Sequence, residues 1–474
     1  MDGLGIPPDH DDDLLFGLVP SWSTAVLASA VGLAGIAIWR RYLAPPGPSR
    51  PTTKGTAPAG TTRPAVPAPK VRKPAPWVPN TEAEDLLAAA TEEEQKKLRP
   101  LIASLAPTSD HNAQIKAARA TLFYVQDESQ WSMMRRTGVL SAMVRLLVTI
   151  TNHAAQRGGD GDGGDIGVPS REEAAVLAAL SAALSRLCRA PELREAMATP
   201  ELVEHAVFLL RTPLVDSTKA ELVALLNVFV RLGDDLRLRA AMVDGGELGP
   251  VLAQLFLQTT IESGEDIIKH SANALVPFVT MDEGKSTRDV LLEHGGVEHA
   301  LDLFTEGRAK FAKRRTPLAL LALLNALSAV ADVETCEKVL SASLAQYFVA
   351  ELRKNQKVSL RQNLPDLLSL LRAFLVQERA GADANDLRRQ FQDFFLEEQD
   401  DGTTGLEQVM SFLRDDKLFP DAAEVLLGLS LDNSRVQAGI KENEETMAAV
   451  RAASETASHP GSEAARLLLA RVGV

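Results

Sequence analysis

The chain has 474 residues, with 50 Lys+Arg against 63 Asp+Glu, a net charge of -13 and a pI near 5.3, which argues against a nucleic-acid-binding body. Aromatics make up only 5% of a composition that is 45% apolar, and Ala and Leu fill the difference, the profile of an α-helical protein with room for two or three domains or one long repeat array. Two cysteines, Cys188 and Cys336, exclude a disulfide framework; set in apolar runs, they read as buried thiols of a reducing compartment.

The charge is unevenly distributed. Residues 1–13 form an acidic tip (Asp2, Asp9, Asp11, Asp12, Asp13), and residues 14–39 carry no charge at all. Trp22 and Trp39 bracket the most apolar part of that stretch, which as a helix would span about 25 Å, close to the hydrocarbon thickness of a bilayer. Interfacial tryptophans at both edges and Arg40-Arg41 immediately after predict a single transmembrane anchor with its C-terminal side in the cytosol. The competing reading, a cleaved secretory signal, calls for a basic segment ahead of the apolar core, and here that segment is acidic.

Residues 40–79 reverse the sign: eight bases, no acid. Eleven of the 26 prolines fall in 44–79, which predicts a disordered, extended, basic spacer, either drawn to an anionic membrane surface or simply solvated. The remainder of the chain carries -16.

From residue 80 onward, Ala/Leu-rich runs alternate with short polar breaks, and no strand pattern is persuasive. Thr81 with Glu84 reads as a capping box opening a first helix through 86–90. Apolar helices are expected at 115–124, 219–232, 267–279 and 318–331. Gly245-Gly246 and Gly295-Gly296, 50 residues apart, each precede an apolar stripe (Leu248, Val251, Leu252, Leu255, Phe256; Val297, Ala300, Leu303, Phe304), and Gly138 opens a degenerate third copy. No single helix pair of this kind can bury its stripe alone, so neighbours must stack.

Residues 152–169, with Gly158-Gly-Asp-Gly-Asp-Gly-Gly-Asp165, read as a flexible surface loop. Asp160 and Asp162 have the opening spacing of an EF-hand, but Asp165 stands where the loop needs Gly and Arg171 where it needs Glu, so calcium is disfavoured. Gly284-Lys285-Ser286 imitates the end of a phosphate-binding loop, yet Val279 occupies the first glycine position and no strand precedes it, so it reads as an inter-helix turn. His294 and His299 lack partners for a zinc motif and read as helix-surface residues. No nucleophile motif appears; no catalytic residue, metal, cofactor or small-molecule substrate is expected.

The repeats, from the Gly-Gly break through the following apolar helix, resemble armadillo repeats over roughly 80–474. This resemblance implies an all-α, armadillo/HEAT-like right-handed α-solenoid, and it places further third helices at 172–188, 360–376, 420–431 and 462–472. The spacing of 46–52 residues is longer than usual for the family, so HEAT-like geometry is the alternative. Aligning the third helices brings Asn227, Asn273 and Asn325 to one outward position. Val223, Lys269 and Leu321 stand one turn before it, and Arg231, Pro277 and Ala329 one turn after. Such a row can hold a peptide backbone, although exposed positions are polar in any case. The expected groove residues are therefore Asn227, Arg231, Lys269, Asn273 and Asn325. The whole layout is similar to membrane-anchored armadillo proteins of the mitochondrial outer membrane. It implies a non-catalytic adaptor whose repeat domain faces the cytosol and docks a protein partner offering an extended peptide or a basic surface. The endoplasmic reticulum is the alternative location, and a nucleotide-exchange factor or co-chaperone for a heat-shock ATPase the alternative function.

Overall fold

The computed structural model describes residues 83–125, 130–157, 167–230, 248–281, 284–307, 310–311, 315–330, 333–355, 364–376, 383–399, 402–456 and 458–473. The expected tip, anchor and spacer (1–79), with Trp22, Trp39, Arg40 and Arg41, lie outside the described residues, as do Thr81 and Arg231. Among the described residues no helix is long and apolar enough to cross a membrane.

The described residues are helical throughout, and the one extended pairing among them is an isolated bridge between Glu398 and Thr404. The helices follow one another in groups. The first is α1 (Ala83–Ala88), α2 (Glu92–Ser104) and α3 (His111–Val125); the second is α4 (Trp131–Arg136), α5 (Val139–Arg157) and α6 (Arg171–Leu187); the third is α7 (Pro191–Met197), α8 (Pro200–Arg211) and α9 (Asp216–Val230). Then come α10 (Leu248–Gln258) with α11 (Glu265–Thr280), and the triplet α12 (Lys285–Glu293), α13 (Gly296–Gly307) and α14 (Arg315–Val330). The chain continues through α15 (Val333–Val339), α16 (Ala342–Lys354) and α17 (Leu364–Val376), then α18 (Asp383–Asp393), α19 (Gly405–Ser411) and α20 (Phe419–Leu429). It closes on α21 (Ser434–Glu442), α22 (Glu444–Glu455) and α23 (Ser462–Val472).

The last member of each group packs on the last member of the next, so that α3, α6, α9, α11, α14, α17, α20 and α23 form an unbroken ladder. The reason is visible in α14, where Ala319, Leu320, Leu321, Leu323, Leu324, Ala326 and Leu327 are all buried. These residues cover more of the helix than one neighbour can reach, so α14 is satisfied only between α11 and α17. Each buried Leu contributes about 1.5–3 kcal/mol to that stacking. The other members form parallel rows, with α5 on α8, α8 on α10, α4 on α7 and α15 on α18. This all-helical, repeat-like arrangement is compatible with an α-solenoid.

Local signals explain where the helices begin and end. Thr91 with Glu94, Ser170 with Glu173, and Thr404 with Glu407 form capping boxes at α2, α6 and α19. Gly138 (φ 83°) and Gly295 (φ 71°) occupy the left-handed region between the first and second helices of their groups, which is why the sequence breaks at glycine there.

Two expectations need correction. Residues 152–157, assigned to the Gly/Asp loop, are the last turns of α5, and Gly167 and Pro169 beyond the tract are buried. The helix extends because Arg157 has a partner: its guanidinium donates to the Val168 carbonyl at 3.0 Å and to Glu173 Oε2 at 2.6 Å. Glu173 also accepts from the Ser170 backbone N–H at 2.7 Å, so the two ends of the tract are clasped together. Burial pushes the Glu173 carboxyl upward, but the hydrogen bonds from Arg157 and Ser170 outweigh it and hold the group below its ordinary value. The second correction concerns His299, which is buried rather than on the helix surface. Its Nε2–H donates to the Phe256 carbonyl at 2.9 Å, and its ring stands edge-on to that of Phe256, joining α13 to α10.

Candidate partner-binding face

Each ladder helix keeps one narrow stripe away from the core. On α9 it runs through Glu221, Ala224 and Val228; on α11 through Asp266, His270, Asn273 and Pro277; on α14 through Leu318, Ala322 and Ala329. The i, i+3, i+4, i+7 spacing follows from a helix whose other sides are covered by neighbours.

The expected Asn row sits at the edge of this stripe rather than on its crest. Asn273 is half-buried, but Asn227 and Asn325 are each only 8% exposed, which corrects the expectation that all three point outward. Val223 and Leu321, aligned one turn before them, are fully buried, and the open positions are Ala224, His270 and Ala322 instead. The rotation is off by about one residue, because close packing of α9, α11 and α14 draws the Asn positions toward the core. Lys269 is also drawn in and pairs with Asp266 at 3.0 Å within its own helix. Pro277 and Ala329 do lie on the stripe.

Polar contacts between ladder helices, none of them foreseen from sequence, tie the face together. Ser185 on α6 donates to Glu221 Oε2 on α9 at 2.5 Å, Thr316 on α14 donates to Glu265 Oε1 on α11 at 2.9 Å, and Arg372 on α17 pairs with Glu424 on α20 at 2.5 Å. Near the last pair, partial burial pushes the Asp421 carboxyl above its ordinary value, with the Asp366 carboxylate adding to the shift and Arg372 opposing it. Charged side chains thus occur along the whole face, from Glu221 and Asp266 on α9 and α11 to Arg372 and Glu424 on α17 and α20.

One group on the face is left over. The Asn227 side-chain oxygen is buried with no hydrogen-bond partner among the described residues. A buried acceptor without a donor costs about 1–3 kcal/mol, which a ligand N–H reaching it would recover.

The remaining motifs are structural. Gly284 begins α12 in a turn closed by its N–H to the Met281 carbonyl at 3.2 Å, while Lys285 and Ser286 point to solvent. Among the described residues no three His, Cys, Asp or Glu side chains are grouped to hold a metal; the Asp160–Asp165 tract lies outside them. Cys188 and Cys336 are both free and buried, and burial pushes the Cys188 thiol far above its ordinary value. Cys336 donates its S–H to the Ser328 carbonyl at 3.1 Å.

The chain matches no protein-family model, and no curated protein sequence shows detectable similarity to it.

Proposed function

We propose that this chain is a non-catalytic adaptor: an armadillo-like right-handed α-solenoid, anchored in a membrane by residues 14–39 through the basic spacer 40–79, that holds a protein partner along the ladder face. The observation that carries the reading is the orphaned Asn227 oxygen, placed on an uninterrupted ladder and followed by Asn273 and Asn325 on the next two helices. An acceptor held by packing on both sides is preorganised for a backbone N–H, and a preorganised group loses little entropy on binding. The alanines beside it leave room for close approach of a partner backbone. Lys269 and His270 flank the row and would select among partner side chains. The acidic body favours a partner with a basic surface, and the sign change from tip to spacer favours a cytosolic repeat domain. The mitochondrial outer membrane is the proposed location, with the endoplasmic reticulum as the alternative.

The test has two arms. With a C-terminal tag, protease added to intact mitochondria or microsomes should remove the repeat domain; protection in both would sink the orientation. Replacing Asn227, Asn273 and Asn325 together by Ala should weaken capture of cellular partners about tenfold, the worth of one or two hydrogen bonds. The single variant Asn227→Ala, whose side-chain oxygen has no hydrogen bond to lose, is the arm in which melting should stay nearly unchanged. Undiminished capture would remove the Asn row from the reading.

A further inference from the structure

His205 is a buried titratable side chain that neither the stacking nor the partner face employs. It lies in the middle of α8 at 1% exposure, and neither ring nitrogen has a hydrogen-bond partner among the described residues. Its surroundings are apolar. Leu202 and Leu209, about one turn to either side on α8, belong to the main core, and Phe208 joins Ala154 and Ala155 of α5 in a small cluster of their own. α8 packs on α5, α9 and α10. Of these, α10 carries no charged residue, and the charged groups of the others stay partly or fully exposed: Glu201, Glu204 and Arg211 on α8, Arg145, His153 and Arg157 on α5, Asp216, Lys219 and Glu221 on α9. Burial alone shifts the imidazole, from 6.5 to about 4, and no neighbouring charge contributes. The ring is therefore neutral while α8 is in place and takes a proton from water when α8 lifts. Acidification favours the open form progressively from about pH 6.5 down to about 4.

We propose that His205 is an acid-sensitive latch beneath the partner face: protonation releases α8 from α5 and α10 while ladder helices farther along the array stay packed. An array held by nearest-neighbour contacts permits such local opening, because each helix group answers only to those beside it. α9 rests on α8, so the helix that carries Asn227 loses part of its support when the latch opens. The effect on partner capture rests on the reading of the ladder face as a binding surface, whereas the latch itself does not.

Hydrogen exchange of the full chain, followed by mass spectrometry at pH 7.5 and 5.0 and corrected for the intrinsic pH dependence of exchange, tests the latch with no partner present. Protection of residues 202–210 should fall about 25-fold at pH 5.0, the shift from 6.5 to about 4 acting on the opening equilibrium. α9 should follow in part, and α14 and α17 should change by less than about threefold. In His205→Leu and in His205→Gln, neither of which titrates, the fall at α8 should vanish with helicity intact. An unchanged α8, a fall of equal size throughout the array, or the same fall in both variants overturns the proposal. Should both variants fail to fold, the pattern across the helices of the parent still decides. Undiminished capture by the triple Asn variant would remove the partner face and leave the latch to be judged on α8 alone.

Discussion

Gly284→Ala should lower the melting temperature by roughly 5–10 °C, the largest effect expected of any single methyl group in the array. A Cβ at Gly284 would lie 1.6 Å from the carbonyl oxygen of Phe278 and 2.6 Å from its carbonyl carbon. These are backbone atoms of α11, so no rotamer change relieves the clash. Phe278 is itself buried, and Arg288 holds the same turn through the Val279 and Met281 carbonyls at 3.2 and 3.0 Å. The strain would have to separate α11 from α12, disturbing the ladder and the first-helix row together. Thermal unfolding followed by circular dichroism measures the loss. A variant that melts within 1–2 °C of the parent would show that the approach relaxes cheaply.

His205→Leu is expected to act in the opposite direction and to depend on pH. His205 lies on α8, is 1% exposed, and neither ring nitrogen has a hydrogen-bond partner among the described residues. Burial lowers its pKa from 6.5 to about 4. The unfolded chain therefore binds a proton between about pH 6.5 and 4 that the folded chain refuses. Stability contributed by the neutral imidazole is complete above pH 6.5 and falls away as pH drops toward 4, by roughly 3 kcal/mol in all. Leu of similar volume removes both the titration and the unpartnered nitrogens. The variant should be about 1–2 kcal/mol more stable than the parent near pH 7.5, and its advantage should widen as pH falls. Urea unfolding at pH 7.5 and 5 provides the comparison; an advantage that does not grow between them would mean that the imidazole finds a proton acceptor when charged.

The ladder was legible in the sequence because its helices are apolar on nearly every side and end at glycine or a polar break. Eight stretches read as helices of one type, from 115–124 to 462–472, are helical and pack in order. Of these stretches, residues 231–232, 331 and 360–363 lie outside the described residues. What could not be read was rotation. Whether Asn227 stands on the crest of the stripe or in the seam depends on how closely α11 approaches α9, and no residue of α9 encodes that distance. The same holds for His299, whose burial requires the end of α10 to arrive above it. The clasp at the Gly/Asp tract was within reach: Ser170 and Glu173 have capping-box spacing, which marks the start of α6 and places Glu173 where a base at the end of α5 would meet it. Membrane attachment and partner capture rest on sequence and on the Asn227 oxygen, and the experiments above decide them.

The two buried thiols act as built-in gauges of the array. Cys188 closes α6 near one end of the ladder, and Cys336 lies in α15, several groups farther along. In an array stabilised by nearest-neighbour contacts, opening can begin in one zone while another stays shut. A thiol reagent reaches either sulfur only through such an opening, so the ratio of the two reaction rates reports which part of the array loosens first, without any label added to the protein.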